Sequence, residues 1–207
     1  MSFFVREKGK LMCKFSEDSR QKLGNAVIYI ANHTEQLSKT KLLKLLFLME
    51  EYMVKRYHVP FMGLPFEIWQ AGPVAKDIFI DLSDGPFLLK DFVKTEVQKD
   101  ATYIRAIKPF CDDEFSDCEM EMMDEIIRKY GKKTAKQLVA EVHKEGSLWF
   151  NAAKKHGLLT AFNKGLCNNS DYTIDFSEEL SDCAREDYKE SLAIHQTANI
   201  LKAQEHV

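Results

Sequence analysis

The chain has 207 residues, of which 45% are hydrophobic and 29% are charged, and its net charge is −3. This hydrophobic content and small net charge exclude an intrinsically disordered chain, and the length suits one main domain with an appendage. The N-terminal residues contain only short apolar stretches interrupted by charges, and no apolar run is long enough to cross a membrane. We therefore predict neither a signal peptide nor a membrane span, and we expect a cytoplasmic protein whose five scattered cysteines are reduced.

Two helices are predicted in the N-terminal part of the chain, each opened by a serine cap. Ser16 is placed to cap a helix that runs to about Asn32, and Ser38 is placed to cap one that runs to about Tyr57. In the second helix, apolar residues occupy most of the circumference between Leu42 and Met53. Because such a helix is usually buried on most sides, we expect it at the centre of the core.

The middle of the chain carries the β signals. Apolar and polar residues alternate over residues 66–70, which predicts a short half-buried strand. Gly72 and Pro73 then turn the chain, and Pro73 suits the first position of a following helix. Residues 92–98 and 102–108 also alternate in character and flank a short polar link, which predicts a β-hairpin.

Helix-start signals dominate the remainder of the chain. Ser116 with Glu119, and Thr134 with Gln137, each form the pattern of a capping box, in which the two side chains satisfy backbone N–H groups reciprocally. Ser147 can open a further short helix. We therefore expect three consecutive helices in this part of the chain.

The first of those helices is expected to end at Gly131, which we predict to adopt the positive φ of a C-terminal cap. A last helix is predicted over residues 181–202. The predicted fold class is α+β, predominantly α: a helical domain with a small antiparallel β-hairpin or sheet. The domain is assigned to residues 1–165, and residues 166–207, where the sequence becomes polar and rich in turns, form a C-terminal extension ending in a helix.

Three segments resemble, in order and spacing, the motifs of one family. They are the helix Lys41-Leu42-Leu43-Lys44-Leu45-Leu46-Phe47, the run Trp69-Gln70-Ala71-Gly72-Pro73-Val74, and the set Asp124-Glu125-Ile126-Ile127, Lys129-Tyr130-Gly131 and Val142-His143. They are similar to the K-L-L-x-L-L-Y helix, the Gly-Pro-Val signature and the tail motif of the SocA-like, or Panacea, antitoxin domain, a phage-associated protein family. The resemblance covers about residues 20–155. It departs from the family pattern at Trp69-Gln70-Ala71, where aromatic or basic residues followed by Tyr are common.

The resemblance implies a cytoplasmic antitoxin that neutralises a toxin encoded beside it by direct contact. In one branch of the family the protein is an adaptor that delivers the toxin to a AAA+ protease, which makes such a protease a second candidate partner. Members of the family face chemically diverse toxins. The resemblance therefore implies the class of partner and names no target.

The candidate partner-binding site consists of Trp69, Gln70, Gly72, Pro73 and Val74. A Trp beside a Gly-Pro turn is a rigid anchor with little conformational entropy to lose, and Trp is enriched among the residues that dominate interface energetics. The alternative is that Trp69 packs in the core while Gly72 and Pro73 simply lead into a helix. Both interpretations remain open at the level of sequence.

The sequence indicates neither a catalytic site nor a cofactor. It has no G-x-S-x-G pattern and no Gly-rich phosphate-binding loop before a helix, so we predict that the protein is not an enzyme. The histidines never fall at metal-ligand spacing, so we also predict no bound metal. Cys111, Cys118 and His143 would be the first ligands to test.

DNA binding is the alternative function, as a repressor of the protein's own operon or of phage genes. Basic residues are concentrated over 128–136, where a short Gly-containing turn joins two predicted helices, as in a helix-turn-helix. Against this interpretation, the isoelectric point is about 6.1, and lysines near helix ends are ordinary compensation of the helix dipole. Operator DNA therefore remains a candidate partner beside the toxin.

Overall fold

A computed structural model describes residues 15–83, 85–99 and 101–204. These residues form eight α-helices, one short 3-10 helix and two antiparallel sheets of two strands each, which confirms the predicted α+β, predominantly α class. The N-terminal elements are α1 (Glu17–His33), α2 (Lys39–Tyr57), β1 (Glu67–Trp69), β2 (Gly72–Val74), α3 (Lys76–Asp81), β3 (Val93–Gln98) and β4 (Ala101–Ala106). The C-terminal elements are α4 (Asp117–Tyr130), α5 (Ala135–Val142), α6 (Leu148–Lys155), α7 (Leu158–Asn163), the 3-10 helix Phe176–Glu179 and α8 (Asp182–Gln204).

Helix α2 lies at the centre of the core, as predicted. The Ser38 hydroxyl caps it by accepting a hydrogen bond from the Lys41 backbone N–H at 3.2 Å. Twelve of its residues are buried, including the lysines at positions 41 and 44. It packs against α4, α5 and β2, so the helix that the sequence marks as apolar on most sides is covered on most sides.

The short sheet formed by β1 and β2 corrects the prediction for Pro73. This residue lies in β2 opposite Ile68, and the next helix, α3, begins only at Lys76. The Ile68 N–H points away from β2 and donates to the Tyr172 carbonyl oxygen at 2.9 Å. The Ile68–Pro73 pair is therefore one that exchanges no backbone hydrogen bonds, and a proline without an N–H fits there at no cost.

The remaining local predictions are confirmed except at Gly131. The hairpin of β3 and β4 pairs Val93 with Ala106, and the Thr134 capping box opens α5. Gly131, however, has φ −59°, which is ordinary right-handed backbone. A Cβ atom at this position would lie 2.6 Å from the Ile127 carbonyl oxygen, so glycine serves close packing of the backbone here and not a left-handed cap.

The segment beyond residue 165 packs into the same core as the rest of the chain. Ile174 donates its N–H to the Phe66 carbonyl oxygen at 2.8 Å, and the Phe176 ring contacts the rings of Phe47 and Phe66. The Ser16 N–H donates to the Asn199 side chain at 2.7 Å and so joins the start of α1 to the C-terminal part of α8. The described part of the extension shares one hydrophobic core with the preceding residues. The domain boundary at residue 165 stays a prediction. Within the described part of the chain, every helix is too short or too polar to cross a membrane.

Candidate partner-binding surface at the turn between β1 and β2

The turn between β1 and β2 presents two residues to solvent. Trp69 pairs with Gly72, so Gln70 and Ala71 form a two-residue connection, and both are exposed. Gly72 has φ +97°, a conformation that glycine adopts without strain and other residues rarely adopt. The sequence therefore folds this segment as a tight hairpin with two exposed residues at its tip.

A buried lysine supports strand β2 of the hairpin from the protein interior. The Lys44 ammonium, on the central helix α2, donates to the Pro73 carbonyl oxygen at 2.9 Å, and the residue is 1% exposed. Burial lowers the pKa of Lys44 from its ordinary value of 10.5 to about 7. A Cβ atom on Gly72 would approach the Lys44 Cε to 2.8 Å, so the glycine also makes room for the lysine.

Two aromatic groups complete the support. The indole N–H of Trp149 donates to the Trp69 carbonyl oxygen at 3.1 Å. The His143 ring stacks on Trp149 with ring centres 3.7 Å apart, and its Nε2 is buried without a hydrogen-bond partner among the described residues. Burial, together with the nearby Lys44 charge, lowers the pKa of His143 to about 4, so the ring is neutral at neutral pH. The backbone of the hairpin is thus held from inside by side chains of α2 and α6.

The Trp69 side chain is half-buried and held on the outer side of the hairpin. Its ring packs edge-on against Phe79 at a centroid distance of 4.9 Å, and its Nε1–H donates to a Glu67 carboxylate oxygen at 2.9 Å. Lys76 bridges Glu67 and Asp171 at 3.2 and 3.0 Å. This network orients the indole while leaving part of its surface accessible to a partner.

The structure divides the predicted site residues into two groups. Gly72, Pro73 and Val74 are buried, so they position the hairpin and offer no surface of their own. Trp69 and Gln70, with the neighbouring Ala71, form the accessible part. The indole packs against Phe79 and is also partly accessible, so the choice between a packing role and a contact role for Trp69 stays open. Partner binding at these residues stays a prediction.

The sequence analysis missed the supporting residues. Lys44 and His143 were named within the motifs that resemble the family, and His143 also as a candidate metal ligand, but neither was predicted to support the hairpin. A lysine within the apolar stripe of a central helix signals a buried polar contact, since an ammonium is rarely fully buried without a partner. The identity of that partner, a backbone carbonyl on β2, follows only from the fold.

The predicted absence of metal stays a prediction. Among residues 15–83, 85–99 and 101–204, no three His, Cys, Asp or Glu side chains lie together in a way that could hold a metal ion. The His143 ring stacks on Trp149. Cys111 donates to an Asp113 carboxylate, and Cys118 contacts the Ser116 hydroxyl.

The basic segment over 128–136 forms the turn between α4 and α5. Arg128, Lys129, Lys132 and Lys136 are exposed there, whereas Lys133 pairs with Glu141 at 2.6 Å. Helix α5 has eight residues and turns its apolar side, with Leu138 and Val142, into the core. DNA contact by this turn stays a prediction.

Comparison with protein-family models matches residues 42–150 to the family described as antitoxin SocA-like, Panacea domain. This range covers slightly more than half of the chain and extends from α2 to α6. It includes the whole hairpin of β1 and β2 together with Lys44, His143 and Trp149. Comparison with curated proteins and with solved structures finds no match.

Proposed function

Because the chain belongs to the SocA-like Panacea antitoxin domain family, we propose that it is an antitoxin that neutralises a cognate toxin by direct protein–protein contact. The proposal places this activity in the cytoplasm and assigns no catalytic step to the protein. The observation that carries it is the hairpin of β1 and β2, which lies within the matched range and presents Trp69, Gln70 and Ala71 on a buried support.

The rigidity of the hairpin supports this role. Association is opposed by the conformational entropy that side chains and loops lose at an interface. Here the Lys44–Pro73 and Trp149–Trp69 hydrogen bonds already hold the backbone, and the Glu67 carboxylate already holds the indole. A partner that binds this tip would therefore cause only a small loss of conformational entropy in the hairpin.

The chemistry of the surface also suits a protein partner. The Trp69 and Phe79 rings form an aromatic contact, and the Lys39 ammonium lies 3.9 Å from the centre of the Phe79 ring. Aromatic side chains flanked by cations are typical of the residues that contribute most to binding between proteins. Gln70 adds a polar group at the tip, although its side-chain amide already donates to the Phe162 carbonyl oxygen at 3.1 Å.

The test is a co-expression assay with the toxin encoded by the neighbouring reading frame. Ala71→Glu adds bulk and charge at the exposed tip without removing a packing contact, so we expect loss of neutralisation with an unchanged melting temperature. Ala193→Glu makes the same chemical change at an exposed position of α8 and should leave neutralisation intact. If Ala71→Glu neutralised the toxin as well as the wild-type protein does, the assignment of this surface would be wrong. If the wild-type protein neither bound nor neutralised the toxin, the proposed function would be wrong.

Trp69→Ala provides a second, energetic test of the same surface. If Trp69 is a central anchor, its truncation weakens toxin binding by about 2 kcal/mol or more. Because the ring also packs against Phe79, circular dichroism and melting must be measured on the same variant. If a folded Trp69→Ala protein bound the toxin with wild-type affinity, the indole would not be part of the toxin-binding surface. Toxin half-life, measured with and without the antitoxin, then separates blocking from delivery to a AAA+ protease.

A further inference from the structure

A cleft of about 710 Å³ lies on a different part of the surface from the hairpin of β1 and β2. It is enclosed by the C-terminal end of α1, the N-terminal end of α2, strand β4 and the turn between α4 and α5. Three lysines line it, Lys41, Lys132 and Lys133, and Glu35 is the only carboxylate lining it among the described residues. The cleft is therefore lined by more cations than carboxylates, although Lys133 pairs with Glu141 and the Glu35 carboxylate acts on Lys41.

Lys41 is the recessed cation of this cleft. The residue is 4% exposed, and its ammonium donates to the carbonyl oxygens of Gly131 at 2.7 Å and Glu35 at 3.1 Å. Both acceptors are uncharged, and Lys41 forms no salt bridge with a carboxylate of the described residues. Burial lowers the pKa of Lys41, which reflects the cost of holding this charge away from water. An ammonium has three N–H groups, so one remains for a further acceptor.

The rim of the cleft adds accessible charge. Lys132 is exposed and forms no ion pair with any of the described residues, whereas Lys133 pairs with Glu141 at 2.6 Å. Strand β4 contributes the hydroxyl of Tyr103, which can donate or accept a hydrogen bond. An anionic group that enters between Lys41 and Lys132 would meet one recessed and one exposed cation.

We propose that this cleft binds an acidic segment of a partner protein, with a carboxylate held by Lys41 and Lys132. A carboxylate on a flexible side chain or at a chain terminus can reach a recessed ammonium, whereas the phosphates of a duplex lie on a rigid convex surface. The flanking carboxylates of Glu35 and Glu141 also repel a continuous phosphate backbone more than an isolated carboxylate. The inference rests on the proposed function only in that the partner is a protein.

The test uses a fluorescein-labelled peptide of alternating Asp and Glu, with a peptide of alternating Asn and Gln and a short DNA duplex for comparison. Fluorescence anisotropy on the full chain should show saturable binding of the acidic peptide alone. Lys132→Glu should weaken that binding by at least about tenfold, because it replaces a charge-assisted hydrogen bond with repulsion. Lys154→Glu, the same change at an exposed lysine of α6, should leave the affinity within about twofold, since it lies outside the cleft.

Three results would overturn the proposal: no saturable binding of the acidic peptide, equal weakening by Lys132→Glu and Lys154→Glu, or tighter binding of the duplex with the same dependence on Lys132. Lys41→Met also removes two hydrogen bonds that hold the fold, so Lys132→Glu carries the test. Peptide binding and toxin neutralisation are measured separately. A protein that binds the peptide in the cleft but does not neutralise the toxin would retain this inference and reject the proposed function.

Discussion

The buried ammonium of Lys44 donates a 2.9 Å hydrogen bond to the carbonyl oxygen of Pro73, and no carboxylate of the described residues forms a salt bridge with it. One contact thus joins the central helix of the core to the hairpin that carries the candidate partner-binding surface. A buried cation with a single neutral acceptor is costly to hold, because its attraction to a carbonyl dipole only partly replaces hydration. The cost should be visible in the dependence of stability on pH.

We expect the Lys44 ammonium to make the free energy of unfolding increase with pH between about 7 and 10.5, and Lys44→Met to remove this contribution. The pKa of Lys44 is about 7 in the folded protein, against an ordinary value of 10.5. Between these values the unfolded chain binds more protons than the folded protein, so raising the pH favours folding. Lys41, whose pKa is also lowered, contributes in the same direction and remains in the variant.

The measurement is urea unfolding of wild type, Lys44→Met and Lys164→Met at several pH values in this window. Lys164 is exposed, so its replacement should leave the slope unchanged. A Lys44→Met slope equal to that of wild type would show that the Lys44 ammonium is not destabilised by burial.

Gly72→Ala should destabilise the protein more than Gly146→Ala does. Both glycines have a similar positive φ, +97° and +84°, so an alanine is strained by about 1–2 kcal/mol at either position. Only at Gly72 does the added Cβ also meet other atoms, the Lys44 Cε at 2.8 Å and the Val142 Cγ2 at 3.1 Å. We expect the crowding to cost a further 1–3 kcal/mol or so.

Thermal or urea unfolding of the two glycine variants provides the comparison. The difference between them isolates the contact with Lys44 from the strain of the backbone. Equal losses of stability would mean that the lysine side chain moves aside without cost, and that the support of the hairpin is loose.

Leu46→Asp should unfold the domain or cost several kcal/mol, since it buries an unpaired charge in the central helix. Leu46 is 1% exposed, whereas Leu166 is 75% exposed, so Leu166→Asp is the matched control and should change stability by less than about 0.5 kcal/mol. The measurement is a comparison of the thermal melting curves of the two variants with that of the wild-type protein. A Leu46→Asp protein that melts like wild type would remove α2 from the centre of the core.

Trp149→Phe should reduce the free energy of unfolding by about 1 kcal/mol. It should also weaken toxin binding, although Trp149 itself is buried and lies outside the proposed contact surface. The substitution retains an aromatic ring for His143 but removes the N–H that donates to the Trp69 carbonyl oxygen at 3.1 Å. The readout is the affinity for the toxin, measured on protein shown to be folded. Unchanged affinity would indicate that the Lys44 contact alone holds the hairpin.

Local patterns in the sequence determined most of the helices and where they begin, but not the start of α3 or the short helix α7. The caps at Ser16, Ser38, Thr134 and Ser147 are found as predicted, because a cap depends on a side chain and a backbone N–H only a few residues apart. The apolar circumference of α2 likewise identified the centre of the core, since burial on all sides leaves a direct trace in composition. The β3–β4 hairpin was also predicted correctly, because its two strands are neighbours in the chain.

The tertiary structure alone decided what Pro73, Lys44 and the Lys41 cleft do. Pro73 occurs in a strand because Ile68 directs its N–H to Tyr172, about a hundred residues further along the chain. The acceptor of Lys44 lies on another element, and the cleft around Lys41 is assembled from four elements. Contacts between distant parts of the chain leave no periodic or positional signal in one sequence, so only the packed fold shows which buried charge faces which carbonyl, and which one faces an open cleft.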